Sequence, residues 1–334
     1  MKKLKAGIIG LGVGEQHIAG YEKHPHCEVV ALCDFSEEKI ELARKKYPHL
    51  KAVSRAEELL EDGEIDVVSV ASYDNYHFEQ VERALKNGKH VFAEKPLCLY
   101  EYQAERIRSL LLQNPALKIS SNLILRMSPR FRLLREMVGN GDLGVLFYVE
   151  GDYNYGRLQK ITEGWRGKID FYSVVHGGAI HIIDLLLWIT GDKVVEVSAY
   201  GNNIVTQDTG FRYNDLVACL LKFQSGMVGK VTTNFGCVYP HFHNLSLYGT
   251  KATFQNAFDY GMLFEKRDPE RDFRKITALY KPAHKGDLIY SFIESILKGS
   301  PAEVTVEDIF QTMSVCLAIE KSAQKQKSLK VKYF

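Results

Sequence analysis

The stretch Leu4-Lys5-Ala6-Gly7-Ile8-Ile9-Gly10-Leu11-Gly12-Val13-Gly14-Glu15-Gln16-His17 decides the fold. Its first six residues are apolar enough for a strand buried on both faces, and a helical pattern follows to about Lys23. A strand, a glycine turn and a helix in that order open a dinucleotide-binding unit. Gly10 allows the tight turn, and Gly12 lets a pyrophosphate approach the backbone. The free N–H groups and positive dipole end of the helix then face the phosphates. Val13 completes the loop. The motif departs from G-x-G-x-x-G, because Gly14 comes one residue early and Glu15 stands in the place of the third glycine. That departure weakens the helix–strand packing argument more than the phosphate argument.

Working outward, a second strand over 28–33 ends in Asp34, about 20 residues after the glycines. An acidic residue there grips the ribose hydroxyls of NAD and repels the 2′-phosphate of NADP. Phe35 and Ser36 follow, with no arginine to accommodate that phosphate, so NAD is expected over NADP. The spacing then predicts a helix over 37–46, strands over 51–53 and 65–71, and a helix from the Ser72-Tyr73-Asp74-Asn75-Tyr76-His77 turn to about Asn87. The strand His90-Val91-Phe92-Ala93 runs into Glu94-Lys95-Pro96, and a helix over 101–113 and a strand over 117–122 complete the half. Proline fixes its own φ and biases Lys95 away from the helical region, so this turn is stiff. Alternating strands and helices, with strands apolar on both faces, specify an α/β fold with a doubly wound parallel sheet.

At 334 residues, two domains are expected, divided as 1–123 and 124–334. The 43 basic and 41 acidic residues nearly cancel, which gives no field for nucleic acid or membrane. Six cysteines without CxxC spacing suggest reduced thiols in a cytoplasmic protein rather than a disulfide framework. Met1-Lys2-Lys3 resembles the start of a signal peptide, but the glycine-rich run interrupts any apolar core and a strand explains the segment better. The apolar run 180–190 contains His181 and Asp184 and is too short to span a bilayer.

Several stretches together resemble the Gfo/Idh/MocA family, the glucose–fructose oxidoreductase and inositol dehydrogenase group. They are GIIGLGVGEQH (7–17), LCD (32–34), SYDNYH (72–77), ALKNGKHVF (84–92) and the EKP turn. Further on come LRMSPRF (125–131), GDLG (141–144), GGAIHIIDLLLWITG (177–191) and AIEKSA (318–323), so the resemblance spans essentially the whole chain. It implies a Rossmann domain followed by an α/β domain with a large, open, mostly antiparallel sheet. One face of that sheet would form the interface of a homodimer or homotetramer. By the same resemblance, Lys95 contacts the nicotinamide ribose and the substrate hydroxyl. Glu94 would hold the turn and the ribose region, and Ser72, Asn75 and His77 would line the cofactor.

In the second half, helices are expected over 126–137, after a proline-containing start, and over 287–298 and 307–325, and His181 and Asp184 lie three apart on one helical face. A histidine oriented by a carboxylate suits general acid–base work, and the family's HxxD pattern assigns that role here. Catalysis is therefore expected from Lys95, His181 and Asp184. Many members carry an aspartate four residues before the histidine, where this chain has Gly177. His176 or a residue of another loop could fill the gap, or the chemistry could rest on Lys95 and His181 alone. The segment 153–168 lacks periodicity and concentrates aromatic and basic side chains. It reads as a substrate loop, with aromatics for sugar faces and cations for an anionic group, or as a solvated basic loop. The substrate contacts expected are Arg126, Tyr153, Trp165, Arg166 and His181. Tyr239, His241 and His243 could line a polyol pocket, and no metal site is expected.

The resulting expectation is an NAD-dependent dehydrogenase of a sugar, cyclitol or sugar nucleotide. The alternatives are a reductase of a non-sugar carbonyl compound and a non-catalytic NAD-binding sensor.

Overall fold

The computed structural model describes residues 3–267, 272–280 and 284–334, so the Met1-Lys2 start lies outside the described residues. The chain divides into two compact units. The first comprises Met1–Ile124 and Ala283–Phe310, and the second Leu125–Pro282 and Gln311–Tyr333.

In the first unit, strands and helices alternate: β1 (Leu4–Ile9), α1 (Glu15–Glu22), β2 (Cys27–Cys33), α2 (Glu37–Lys46), β3 (Lys51–Val53) and α3 (Glu57–Leu60). The alternation continues with β4 (Val67–Val70), α4 (Asp74–Lys86), β5 (His90–Ala93), α5 (Glu101–Gln113) and β6 (Ile119–Ser121). The six strands are parallel in the order β3-β2-β1-β4-β5-β6, the doubly wound arrangement. All four residues of β4 are buried, as a strand covered by helices on both sides requires. Ser36 caps α2, whose first turn carries Glu37 and Glu38 and whose last turn carries Arg44, Lys45 and Lys46, a distribution that complements the helix dipole.

The second unit begins with α6 (Pro129–Gly139), β7 (Leu146–Asn154), α7 (Gln159–Thr162) and α8 (Ile180–Thr190). Strands β8 (Val194–Asn202), β9 (Leu216–Phe223), β10 (Val228–Asn234), β11 (Phe242–Gly249), β12 (Thr253–Asn256), β13 (Gly261–Phe264) and β14 (Arg274–Ile276) follow. The chain closes with α9 (Asp287–Lys298), α10 (Val306–Lys325) and β15 (Leu329–Lys330). The sheet has nine strands in the order β14-β13-β12-β11-β7-β10-β9-β8-β15, and every pair is antiparallel except β7–β10. Burial alternates along β7, with Val149, Gly151 and Tyr153 covered and Tyr148, Glu150 and Asp152 half-exposed. Helix α8 lies on the covered face so closely that a Cβ at Gly151 would sit 2.3 Å from the Ile182 side chain.

Two details differ from the sequence expectation. The helix expected from Arg126 begins at Pro129, because proline needs no intrahelical N–H partner at a helix start. Residues Val175–Ala179 form a π-helical turn leading into α8, the kind of local widening that often accompanies functional sites. Helix α9 packs with the parallel sheet of the first unit. Gly20 of α1 lies against Gly286, where a Cβ on Gly20 would be 2.5 Å from the Gly286 carbonyl oxygen. Lys23–Asp287 and His24–Glu294 pairs fasten that contact.

Candidate active site

Gly10, Asp34, Ser72, Glu94 and Asn122 all stand within two residues of the last residue of β1, β2, β4, β5 and β6. Parallel strands therefore bring them to one carboxyl edge, where open α/β sheets bind ligands. Gly10 has φ +92°, and a Cβ there would meet the Ala71 carbonyl oxygen at 2.3 Å. Gly12 is open, with only the Lys39 ammonium within 4 Å of the Cβ position, so a pyrophosphate has room at the backbone. Gly14 supplies the close approach expected of the absent third glycine, since its Cβ would lie 2.3 Å from the Gly10 carbonyl oxygen. Glu15 points away to Lys46 and Tyr47. Asp34 is buried; Oδ2 accepts from the Leu11 N–H at 2.7 Å and Oδ1 from the Ser36 N–H at 3.0 Å. Beside it in the chain, the exposed ring of Phe35 meets Tyr73 with centroids 5.4 Å apart.

The turn after β5 is anchored from three sides. Glu94 accepts from the Asn122 side-chain amide at 2.6 Å and lies 3.3 Å from His17 Nε2. His17 Nδ1 is 2.8 Å from the Ser69 hydroxyl. Burial pushes the Glu94 carboxyl up, but the His17 hydrogen bond and the neighbouring Lys285, His17 and Lys95 outweigh it and hold it well below the usual carboxylate range. His77 is buried, with Nδ1 2.6 Å from the Pro96 carbonyl oxygen and Nε2 3.1 Å from that of Ser72. It ties the end of β4 to the turn that follows β5. The Lys95–Pro96 peptide is cis, Lys95 is half-buried, and Asn75 and Val13 are exposed.

In the second unit, His181 stacks near-parallel to Tyr153 at 6.0 Å, and His243 contacts both rings, at 5.2 Å from Tyr153 and 6.3 Å from His181. His241 and Tyr155 extend this cluster. The Tyr280 hydroxyl accepts the His243 backbone N–H at 3.1 Å and lies 2.5 Å from His243 Nδ1. That hydroxyl has one proton and a second lone pair, so it pairs with Nδ1 either as donor or as acceptor. Burial pushes the Tyr280 phenol up to about 12, so it keeps this proton throughout the physiological range.

Arg126 and Asp184, expected as a substrate contact and a catalytic carboxylate, face each other in the core. Arg126 Nε donates at 3.1 and 3.0 Å to the two carboxylate oxygens, and Nη2 at 2.6 Å to Oδ1. Thr312 adds a hydroxyl at 3.4 Å. Trp165 and Arg166 are half-buried, the guanidinium lying over both the Trp165 ring and Tyr172. A Cβ at position 177 would sit 2.1 Å from the Tyr172 hydroxyl, so an aspartate there requires the Tyr172 side chain to shift. Among the described residues, no group of three or more His, Cys, Asp or Glu side chains could hold a metal ion.

Residues 4–116 match the profile of the oxidoreductase family with an NAD-binding Rossmann fold, and residues 131–255 match the Gfo/Idh/MocA C-terminal domain. The chain belongs to the Gfo/Idh/MocA family. It is 26% identical to the myo-inositol 2-dehydrogenase of Thermotoga maritima over 338 residues, covering 98% of each chain. The fold matches levoglucosan dehydrogenase in complex with NADH, with a TM-score of 0.87 at 20% identity over 100% of both chains. It also matches the scyllo-inositol dehydrogenase of Lactobacillus casei with NAD(H) and scyllo-inositol, with a TM-score of 0.80 at 21% identity over 98% and 99% of the two chains. The first unit of this Gfo/Idh/MocA oxidoreductase is thus its NAD-binding domain. No helix of the described residues is long and apolar enough to cross a membrane.

Sequence reasoning missed His17, Lys39, Asn122, Tyr172 and Tyr280. Asn122 carried a signal, since it follows an apolar strand of the parallel sheet, where site residues gather. His17 and Tyr280 have their partners far away in the chain, and Lys39 and Tyr172 meet Asp34 and Gly177 through the local path of the backbone.

Proposed function

We propose that this chain interconverts a secondary alcohol and its ketone on a sugar, cyclitol or sugar nucleotide, with NAD as the partner. The observation that carries this reading is the ring cluster of Tyr153, His181, His241 and His243, with His243 held through Nδ1 and its backbone N–H by the Tyr280 hydroxyl. Aromatic faces suit the C–H faces of a saturated ring, and fixed N–H and O–H groups suit its hydroxyls. The relatedness to myo-inositol 2-dehydrogenase supports the same substrate class.

NAD, when bound, supplies the hydride acceptor. The glycine loop and Asp34 hold the dinucleotide, with Ser72, Asn75 and His77 at the adjoining turn, and Glu94 keeps Lys95 in place. We assign proton handling at the substrate hydroxyl to Lys95 and His181. Arg126 and Asp184 neutralise each other, which suits them to anchoring the helix that carries His181. The Tyr172 hydroxyl is the polar group at the place an aspartate on residue 177 would need. Arg157 and Arg166, which lie over Tyr155 and Trp165, are the cations that would meet an anionic substituent on the substrate.

The half-exposed face of the nine-stranded sheet presents Tyr148, Glu150, Asp152 and Lys230, an ordered network of both charge signs. Such a face is self-complementary, and we assign it to a second copy of the chain in a homodimer or homotetramer. Six free cysteines, five of them buried, suit a reducing, cytoplasmic setting.

The test is NADH formation by the purified protein over inositols, sugars, anhydrosugars, uronic acids and sugar nucleotides, with a Lys95→Met variant alongside. Turnover that disappears in the variant while NADH binding persists supports the reading. Tight NADH binding with no turnover on any of these favours the sensor, a role the occupied space at Gly177 would suit.

A further inference from the structure

Asp34 does not face the ribose subsite as a lone negative charge. Besides the two backbone N–H groups, Oδ2 accepts from Lys39 Nζ at 3.0 Å, and the carboxylate is almost wholly buried while the lysine is partly exposed. The same ammonium lies 3.9 Å from the Cβ position of Gly12 and so stands over the phosphate-binding loop. Lys39 also borders a crevice of about 70 Å³ lined by Leu11, Leu32 and Ala43 together with Glu15 and Lys46, which pair with each other. A paired carboxylate, a partly exposed ammonium and open space beside it meet at one place.

We propose that Lys39 sets the discrimination between NAD(H) and NADP(H), and that it lets this site tolerate a 2′-phosphate despite Asp34. Next to a bare carboxylate, a phosphate dianion is repelled. An ammonium pairs with phosphate as readily as with carboxylate, and a lysine's flexible stem allows it to do either. With NAD(H), Lys39 stays on Asp34 and leaves the remaining Oδ1 lone pair to a ribose hydroxyl. With NADP(H), it turns from Asp34 to the phosphate, the crevice giving its stem space to move. An arginine directly after Asp34, where this chain has Phe35 and Ser36, is not needed for this.

The experiment measures NADH and NADPH dissociation constants directly, by nicotinamide fluorescence or calorimetry, for the wild type, Lys39→Met and Lys39→Arg. No substrate is required, so the outcome is independent of the proposed reaction. Lys39→Met is expected to weaken NADPH about tenfold and NADH less than twofold, the loss of one partly exposed ion pair to phosphate. Lys39→Arg is expected to keep the wild-type ratio. A ratio of NADPH to NADH dissociation constants that changes less than fivefold in Lys39→Met overturns the proposal, and so does a wild type that binds neither dinucleotide.

Discussion

Arg126 donates through Nε and Nη2 to the carboxylate of Asp184, and both side chains are almost completely buried. Two residues that sequence alone assigned to different duties are one ion pair in the core of the second unit. Asp184→Asn leaves a buried guanidinium facing a neutral amide, and a loss of about 3–5 kcal/mol in unfolding free energy is expected. The double variant Arg126→Met/Asp184→Leu should recover most of it, because well-packed apolar side chains replace buried pairs at little cost. Denaturant unfolding of both variants measures this. A double variant no more stable than Asp184→Asn would contradict it.

Tyr280→Phe removes the hydroxyl that accepts the His243 backbone N–H and pairs with Nδ1; where that hydroxyl donates to Nδ1, the ring proton lies on Nε2. Imidazole 15N shifts should show one tautomer, protonated on Nε2, in the wild type and a mixture in the variant. If His243 donates to the substrate as proposed, KM should rise about tenfold, the effect of one hydrogen bond to substrate, with kcat changed far less. An unchanged 15N spectrum would remove the tautomer argument.

Restoring the family aspartate should harm this chain. Gly177→Asp drives a Cβ into the Tyr172 hydroxyl, and a loss of about 1–3 kcal/mol of stability is expected from overpacking. Adding Tyr172→Ala should relieve the clash and return part of the stability, read as the thermal midpoint. Equal midpoints for the single variant and the wild type would show that the turn yields more easily than its packing implies.

Glu94 makes the fold of the first unit sensitive to acid. Its carboxyl titrates below its unfolded value of about 4.3, so it contributes stability that is complete above that pH and is lost as the pH falls further. Glu94→Gln is expected to be less stable than the wild type at pH 7, with a shallower decline between about pH 5 and pH 3, where the unfolded-state carboxyl takes up its proton. Parallel slopes for the two proteins would assign the acid limb to other carboxylates.

Local pattern carried much of the fold. Helices Glu101–Gln113 and Asp287–Lys298 have the bounds their periodicity predicts, and the strands of the parallel sheet lie where apolar runs place them. The short strands β13, β14 and β15 carried too few residues to show a period of two. The proline at 129, taken as part of a helix begun earlier, started one instead.

What the sequence by itself determined is whatever a few neighbouring residues encode: strand–glycine–helix order, Asp34 at a strand end, the stiff EKP turn and the HxxD pair on one helical face. The tertiary structure decided which charge meets which. Tyr280 reaches His243 across 37 residues and Arg126 reaches Asp184 across 58, separations over which no periodicity in the chain carries information. Even Lys39, five residues from Asp34, required the backbone path of the α2 start to show that its ammonium turns back to the carboxylate and over Gly12. The physical reason is the same each time: secondary structure follows from side-chain spacing along the chain, whereas electrostatic partnership follows from distance in space, which only the packed fold sets.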